Sequence, residues 1–371
     1  MSSSTYVPHA IFVEKAELFG RIHARKPTNS FVQNIDAEIA VLSAGELSFP
    51  VTINDSIHPN AWVCSPLTTY SSYALEETRR VAPRLLAAPL GGVIQIADAW
   101  LRRSHIDKAV SINNWLVSTN LYPDVRGIDL AVITQECAAR WPTQGIWFRS
   151  LNVYQHADWL RALANVGFQL VPTRQVYVFH DVKCLMAVHQ NLRRDVRLLH
   201  TTPLQFVPND AFADLDFETI ETLYAKLYIE KYSSLNPRYT ALFMKTWHTS
   251  GLLEFGGFRD AKGVLVAVVG MFAQGDLVTA PIVGYDTARP RSDGLYRLLM
   301  AHVLQWTIER NATLNLSAGA AHFKRLRGGE PTIEYSAVFS GHLPASARRA
   351  LSVLSALTTR IGIPVMERFQ L

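Results

Sequence analysis

Asp286, Arg291, Gly294 and Lys324 fall within one stretch of the chain, Val283 to Gly329, which reads VGYDTARPRSDGLYRLLMAHVLQWTIERNATLNLSAGAAHFKRLRGG. A strand ends at Tyr285-Asp286, and a link containing Arg289, Pro290 and Arg291 runs from Thr287 to Asp293. A long amphipathic helix then opens near Gly294. A strand that feeds a cationic turn into a helix start presents backbone N–H groups and the positive end of the helix dipole to an anion. That suits a pyrophosphate or another charged acyl carrier. Asp286 is a carboxylate at the strand's end, able to take a proton or to cap the turn before Pro290. Lys324, followed by Arg325 and Arg327, either pairs with a carboxylate or phosphate or belongs to a solvated basic face. His322, Glu334 and Tyr335 are further acid/base candidates with equally open structural roles.

The elements that must position these groups form two series. In the second half, Asp216 to Lys231 and Ala241 to His248 are helices, the latter with Thr240 as its cap. Leu252 to Arg259, Gly263 to Ala273 and Leu277 to Tyr285 are strands joined by tight turns, hence an antiparallel meander. A helix over Leu295 to Arg310, strands over Thr313 to Ser317 and Thr332 to Phe339, and a helix over Ala345 to Arg360 follow. In the first half, Ala37 to Ser43 and Leu47 to Ile53 form a hairpin around Ala44-Gly45-Glu46. Helices are expected over Tyr73 to Leu86, Gly91 to Ser104, Ile106 to Ser118 and Ile128 to Trp141. Gly145 to Ser150 reads as a buried strand, His156 to Val166 as a helix ended by Gly167, and Phe168 to Phe179 as a strand bent at Pro172. His180 to Leu204, with Arg193 and Arg194, reads as the connection between halves. The expected domains are 1–190 and 200–371.

A chain of 371 residues, 49% hydrophobic and 18% charged, is too long for one ordinary core and too polar for a membrane protein. No apolar run reaches the roughly 18–20 residues that span a bilayer, and the N-terminus lacks a basic region followed by an apolar one. Three scattered cysteines, Cys64, Cys137 and Cys184, fit a reducing compartment, so the expected location is cytoplasmic. A net charge of +5 suits an anionic partner, a nucleotide or RNA, but like charges form no block of the kind a nucleic-acid tail carries. Neither DNA nor a membrane is expected as partner. GxSxG, HExxH, Walker and GxGxxG signatures are all missing, and the histidines do not stand at metal-ligand spacing.

The element order of the second half, the link RPRSDGLY and the segment LNLSAGAAHFKRLRGG together resemble the GNAT acyltransferase superfamily, in its BioF2-like and FemAB-like branch. The end of the first half, Gly145 to Phe179, looks like part of a second, degenerate copy. The resemblance implies an α/β (α+β) fold of tandem GNAT-like domains, each a mixed, largely antiparallel sheet flanked by helices. It also implies transfer of an acyl group from acyl-CoA (acetyl-CoA) to a small-molecule amine, or aminoacyl transfer from a charged tRNA; a non-catalytic binding module is the rival. By resemblance, Val283, Gly284 and Tyr285 part from the neighbouring strand and face the acyl donor. Arg291, Ser292, Gly294, Leu295 and Tyr296 stand for the pyrophosphate turn, with Tyr296 where a small residue is usual. Asp286, Lys324 and Tyr335 are the catalytic candidates. Tyr228, Lys231, Tyr232, Asn236 and Arg238, the densest run of donors and acceptors in this half, lie on the acceptor side. Tyr73, Asn114 and Asn120 of the first half are candidates for the same cleft.

Overall fold

Short runs rich in Val, Ile and Phe alternate with helices along the chain, and each run becomes a strand of one sheet. The computed structural model describes residues 9–55, 60–81 and 84–369. The strands are β1 (Glu38–Ala44), β2 (Leu47–Asp55), β3 (Lys108–Ile112), β4 (Gly145–Asn152), β5 (Gln169–Phe179), β6 (Gln205–Val207), β7 (Glu254–Arg259), β8 (Leu265–Gln274), β9 (Leu277–Tyr285), β10 (Thr313–Asn315) and β11 (Glu330–Phe339). They form an 11-stranded sheet in the order β1-β2-β3-β4-β11-β5-β10-β9-β8-β7-β6. The pairs β3–β4 and β9–β10 are parallel, and every other neighbouring pair is antiparallel. The expected mixed, largely antiparallel α/β architecture is therefore present, with the two sheets fused into one.

The helices are α1 (His9–His23), α2 (Ala74–Val81), α3 (Arg84–Arg103), α4 (Leu130–Arg140), α5 (Val153–Val166), α6 (Val182–Val188), α7 (Gln190–Thr201), α8 (Asp216–Tyr224), α9 (Ala241–Thr249), α10 (Leu295–Glu309), α11 (Ala321–Arg325), α12 (Ala345–Leu357) and α13 (Ile363–Phe369). Asn152 caps α5 by accepting from the Gln155 N–H, and Gly167, with φ 99°, ends it. Thr240 caps α9 through the Phe243 N–H. α10 is apolar around most of its circumference because it lies between β8 and the α6–α7 pair.

Two expectations change. The helix expected over Ile106 to Ser118 is instead the buried strand β3 followed by coil. Val110 and Ile112 are β-branched, lie between β2 and β4, and are wholly buried. The segment expected to connect the halves is helical, and α7 packs along α10. Leu192 and Asp195 point inward there, which a reading of its charge alone does not reveal.

The middle of the sheet sets the relation of the halves. β11, from the end of the chain, lies between β4 and β5 of the first half, and β5 in turn lies between β11 and β10 of the second. Each half thus completes its strand array with a strand of the other. β5 bends at its Pro172, as expected: Thr173 is passed over in the pairing with β11, where Arg174 faces Glu334 and Pro172 faces Tyr335.

Candidate active site

β9 and β10 pair only from Leu277–Thr313 to Thr279–Asn315. Beyond that point they part. The chain after β10 turns to Tyr177 of β5, where the Leu316 N–H donates to the Tyr177 carbonyl and the Tyr177 N–H to the Ser317 carbonyl. β9 runs on to Tyr285 paired only with β8, so residues 280–285 show an edge of backbone groups to the gap. The parting expected at Val283 to Tyr285 is present.

Lys324 secures the far wall of this gap. It is buried, and its Nζ donates to the carbonyls of Leu316 (2.7 Å), Ser317 (3.1 Å) and Ala318 (2.8 Å). These use all three of its donors. Burial, and then the nearby Arg174, push its pKa down to about 7. Arg325 reaches Tyr177 and Gln175. Arg327 stacks on Phe323 at 3.4 Å and pairs with Asp195, which also takes Arg297 of α10 at 2.7 Å. The basic run after Gly319 is thus built into the fold, and His322 of that run is exposed.

At the other wall, Gly284 admits close contact: a Cβ there would stand 2.7 Å from the Tyr224 backbone nitrogen at the end of α8. Gly294, with φ 64°, starts α10, and a Cβ on it would meet Leu198 of α7 at 2.9 Å. Arg291 and Ser292 are exposed on the turn before it, and Leu295 is buried beneath. Tyr296 turns inward and packs on Phe323, ring centres 4.8 Å apart, with Tyr285 at 6.3 Å. Asp286 caps the turn: its Oδ1 accepts from the Ala288 N–H and lies 3.5 Å from Lys226. Tyr335 sits apart from this group, on β11 and near Glu367 of α13.

The acceptor segment divides. Residues Ala225–Tyr232 form a π-helical stretch that carries Tyr228, Lys231 and Tyr232. Tyr228 stacks on Tyr224 at 4.8 Å and keeps part of its ring accessible, while burial holds its hydroxyl protonated. Tyr73, on a second π-helical stretch (Thr69–Tyr73), behaves alike. Among the described residues the hydroxyls of Tyr73, Tyr228 and Tyr296 have no hydrogen-bond partner. Lys231 and Tyr232 are exposed, with the ammonium over the ring. Asn236 is a joint between halves: it accepts from Trp62 Nε1 at 3.0 Å and donates to the Tyr228 carbonyl at 2.9 Å. The Arg238 side chain points to solvent, its N–H held by Asn34. Asn114 and Asn120 are wholly buried and bonded to their own surroundings, Asn114 to Thr52 and the Val63 carbonyl, Asn120 to the Trp115 N–H. They are structural amides, not part of the cleft wall.

Sequence reasoning missed Arg149, Arg174, Trp62 and Asp195. Arg174 pairs with Glu334, Nε to Oε1 at 2.8 Å, and lies 4.7 Å over Trp62. Its one signal in the sequence is an arginine inside a strand whose second half, Val176 to Phe179, is apolar. Among the described residues no group of three or more His, Cys, Asp or Glu side chains is placed to hold a metal ion, and no helix is long and apolar enough to cross a membrane.

Residues 187–325 match the family described as an acetyltransferase (GNAT) domain. That segment includes the parting of β9 from β10, and the first half holds a parallel strand pair of its own, β3 with β4. No curated protein sequence matches the chain. Among solved structures it is similar to the C-terminal domain of a provisionally designated lysylphosphatidylglycerol synthetase from Agrobacterium fabrum (13% identity, 93% of this chain and 96% of that one, TM-score 0.53). It is also similar to L-PGS from Bacillus licheniformis (11%, 67% and 82%, TM-score 0.47) and to FemX (12%, 62% and 80%, TM-score 0.47). At these identities the likeness is one of fold.

Proposed function

We propose that this protein is an N-acyltransferase that forms an amide between an activated acyl donor and the amine of a small molecule. One observation carries the reading: the gap between β9 and β10, with the free edge of residues 280–285 along it and the stretch that carries Tyr228 packed beside β9. An extended acyl arm fits such an edge by adding its amides to the strand's N–H and C=O groups. The carbonyl carbon then lies where an amine entering past Tyr228 attacks it. The amine nitrogen forms the new C–N bond and loses its proton, and the C–S or C–O bond to the carrier breaks. The leaving atom takes a proton, for which the Tyr228 and Tyr285 hydroxyls, without a hydrogen-bond partner among the described residues, are the candidates, both kept protonated by burial. Lys324 serves as a brace that holds the far wall open, and Asp286 fixes the turn that carries Arg291.

Acyl-CoA is the donor this reading prefers, with Arg291 and the α10 start toward its phosphates. Aminoacyl-tRNA is the second reading, favoured by Tyr296, whose ring and that of Phe323 fill space a small residue would leave. Incubation with acetyl-CoA and a panel of amines, followed by assay of thiol release and mass spectrometry of products, tests the first. If product instead needs charged tRNA and is abolished by ribonuclease, the second stands; if neither donor yields an amide, the transferase reading falls.

A further inference from the structure

Arg149 lies on β4, in the interior where the halves meet, and only 9% of it is accessible. Its Nη1 donates to Asn114 Oδ1 at 3.2 Å, and its guanidinium lies over Trp62, 5.1 Å from the ring centre. Among the described residues it has no ion pair, and its Nε and Nη2 have no acceptor. Glu334 is the carboxylate that acts on it, but both Glu334 oxygens are already taken by Arg174, at 2.8 and 3.2 Å. Arg174 lies over the same indole and repels it. The other titratable groups around it are neutral: burial pushes Cys64 and Tyr70 up to about 12, and Tyr122 and Tyr239 higher still. Two guanidiniums thus share one aromatic ring and one carboxylate. One positive charge is left over in the interior, an arrangement that is costly unless something supplies the missing negative charge.

We propose that Arg149, backed by Arg174 and Trp62, is the binding site for a carboxylate carried by a small substrate. The Nε–Nη2 edge of a guanidinium is a two-donor fork that matches the two oxygens of a carboxylate. A monoanion balances the single unpaired charge, whereas a phosphate dianion would leave an excess of the opposite sign. Trp62 also links the site to the acceptor side, through Asn236 at 3.0 Å and the Tyr73 ring at 5.7 Å. The ligand is thereby an amino-acid-like molecule whose carboxylate sits on Arg149 and whose amine lies toward Tyr228. This rests on the transferase reading only in taking the ligand for the amine acceptor.

The test is binding without any acyl donor, so the result stands whether or not transfer is later found. N-acetylglycine, its neutral amide and inorganic phosphate are titrated against the whole protein, with thermal melting and calorimetry as readouts. N-acetylglycine is expected to raise the melting temperature and release heat on binding, and the amide and phosphate to do neither. Arg149→Lys keeps the charge but loses the fork, and is expected to weaken binding at least about tenfold. Equal effects of acid and amide, a stronger effect of phosphate, no effect of any of the three, or an R149K variant that binds like the wild type overturns the proposal. Should R149K fail to fold, the three-ligand comparison on the wild type decides by the same criteria.

Discussion

Arg174 and Glu334 face each other across β5 and β11, one from each half of the chain, with the guanidinium Nε 2.8 Å from the carboxylate. The side chains are only 12% and 2% accessible. Breaking such a pair leaves an unpaired buried charge, which costs about 3–5 kcal/mol. Glu334→Ala is therefore expected to lose stability of that order in urea unfolding at neutral pH. The double variant E334M/R174M should recover part of it, because it removes both charges of the pair, although Arg149 then loses the carboxylate that acts on it.

Tyr228→Phe removes a hydroxyl that has no hydrogen-bond partner among the described residues. Stability should change by less than about 0.5 kcal/mol, while kcat falls about 100-fold if the hydroxyl protonates the leaving group. A normal melting curve with normal kcat would remove Tyr228 from the chemistry.

Lys324 has a folded pKa near 7 against an ordinary 10.5. Between these values the unfolded chain holds a proton that the folded protein has released, so stability rises with pH from about 7 toward 10.5. Below pH 7 both states are protonated and the contribution is flat. Lys324→Met removes this slope, and also leaves the carbonyls of residues 316–318 without their donor. Urea midpoints of both proteins at pH 7 and pH 9 should diverge in favour of the wild type as pH rises.

His156 is buried with Nδ1 accepting from the Asn152 N–H, and burial lowers its pKa to about 3. His23 is buried alike, with its pKa also about 3. Both stay neutral in the fold while the unfolded chain protonates near 6.5, so stability is full above pH 6.5 and is lost progressively toward pH 3. His156→Gln should lower stability at pH 7 yet flatten the acid loss between those limits, as followed by circular dichroism.

The meander and α10 were legible because strong apolar periodicity and tight turns agree there. Observed strands β7 to β9 lie within two residues of the limits expected from sequence. β3 was not legible, since the run from Ala109 to Ile112 is too short for its period to separate strand from helix. The parting of β9 from β10 followed from the family resemblance and not from the residues themselves. Asp195 and Arg149 were hidden for a different reason. A charged residue in sequence reads as surface, and both are buried only because distant segments meet over them: Arg297 and Arg327 over Asp195, Asn114 and Trp62 beside Arg149. Lys324 was singled out as an anion ligand, but its place against three carbonyls depends on the tight path from Leu316 to Ala320.

The exchange of β5 and β11 has a consequence for how the chain acquires its structure. Residues 145–179 leave the ribosome long before residues 330–339, yet in the sheet β4 and β5 are not neighbours and β11 lies between them. During synthesis the first half must wait with a slot between them, its two bordering strands unpaired on that side. Closing the slot demands contacts far apart in sequence, so the final step of folding should be slow and should couple both halves into one cooperative transition.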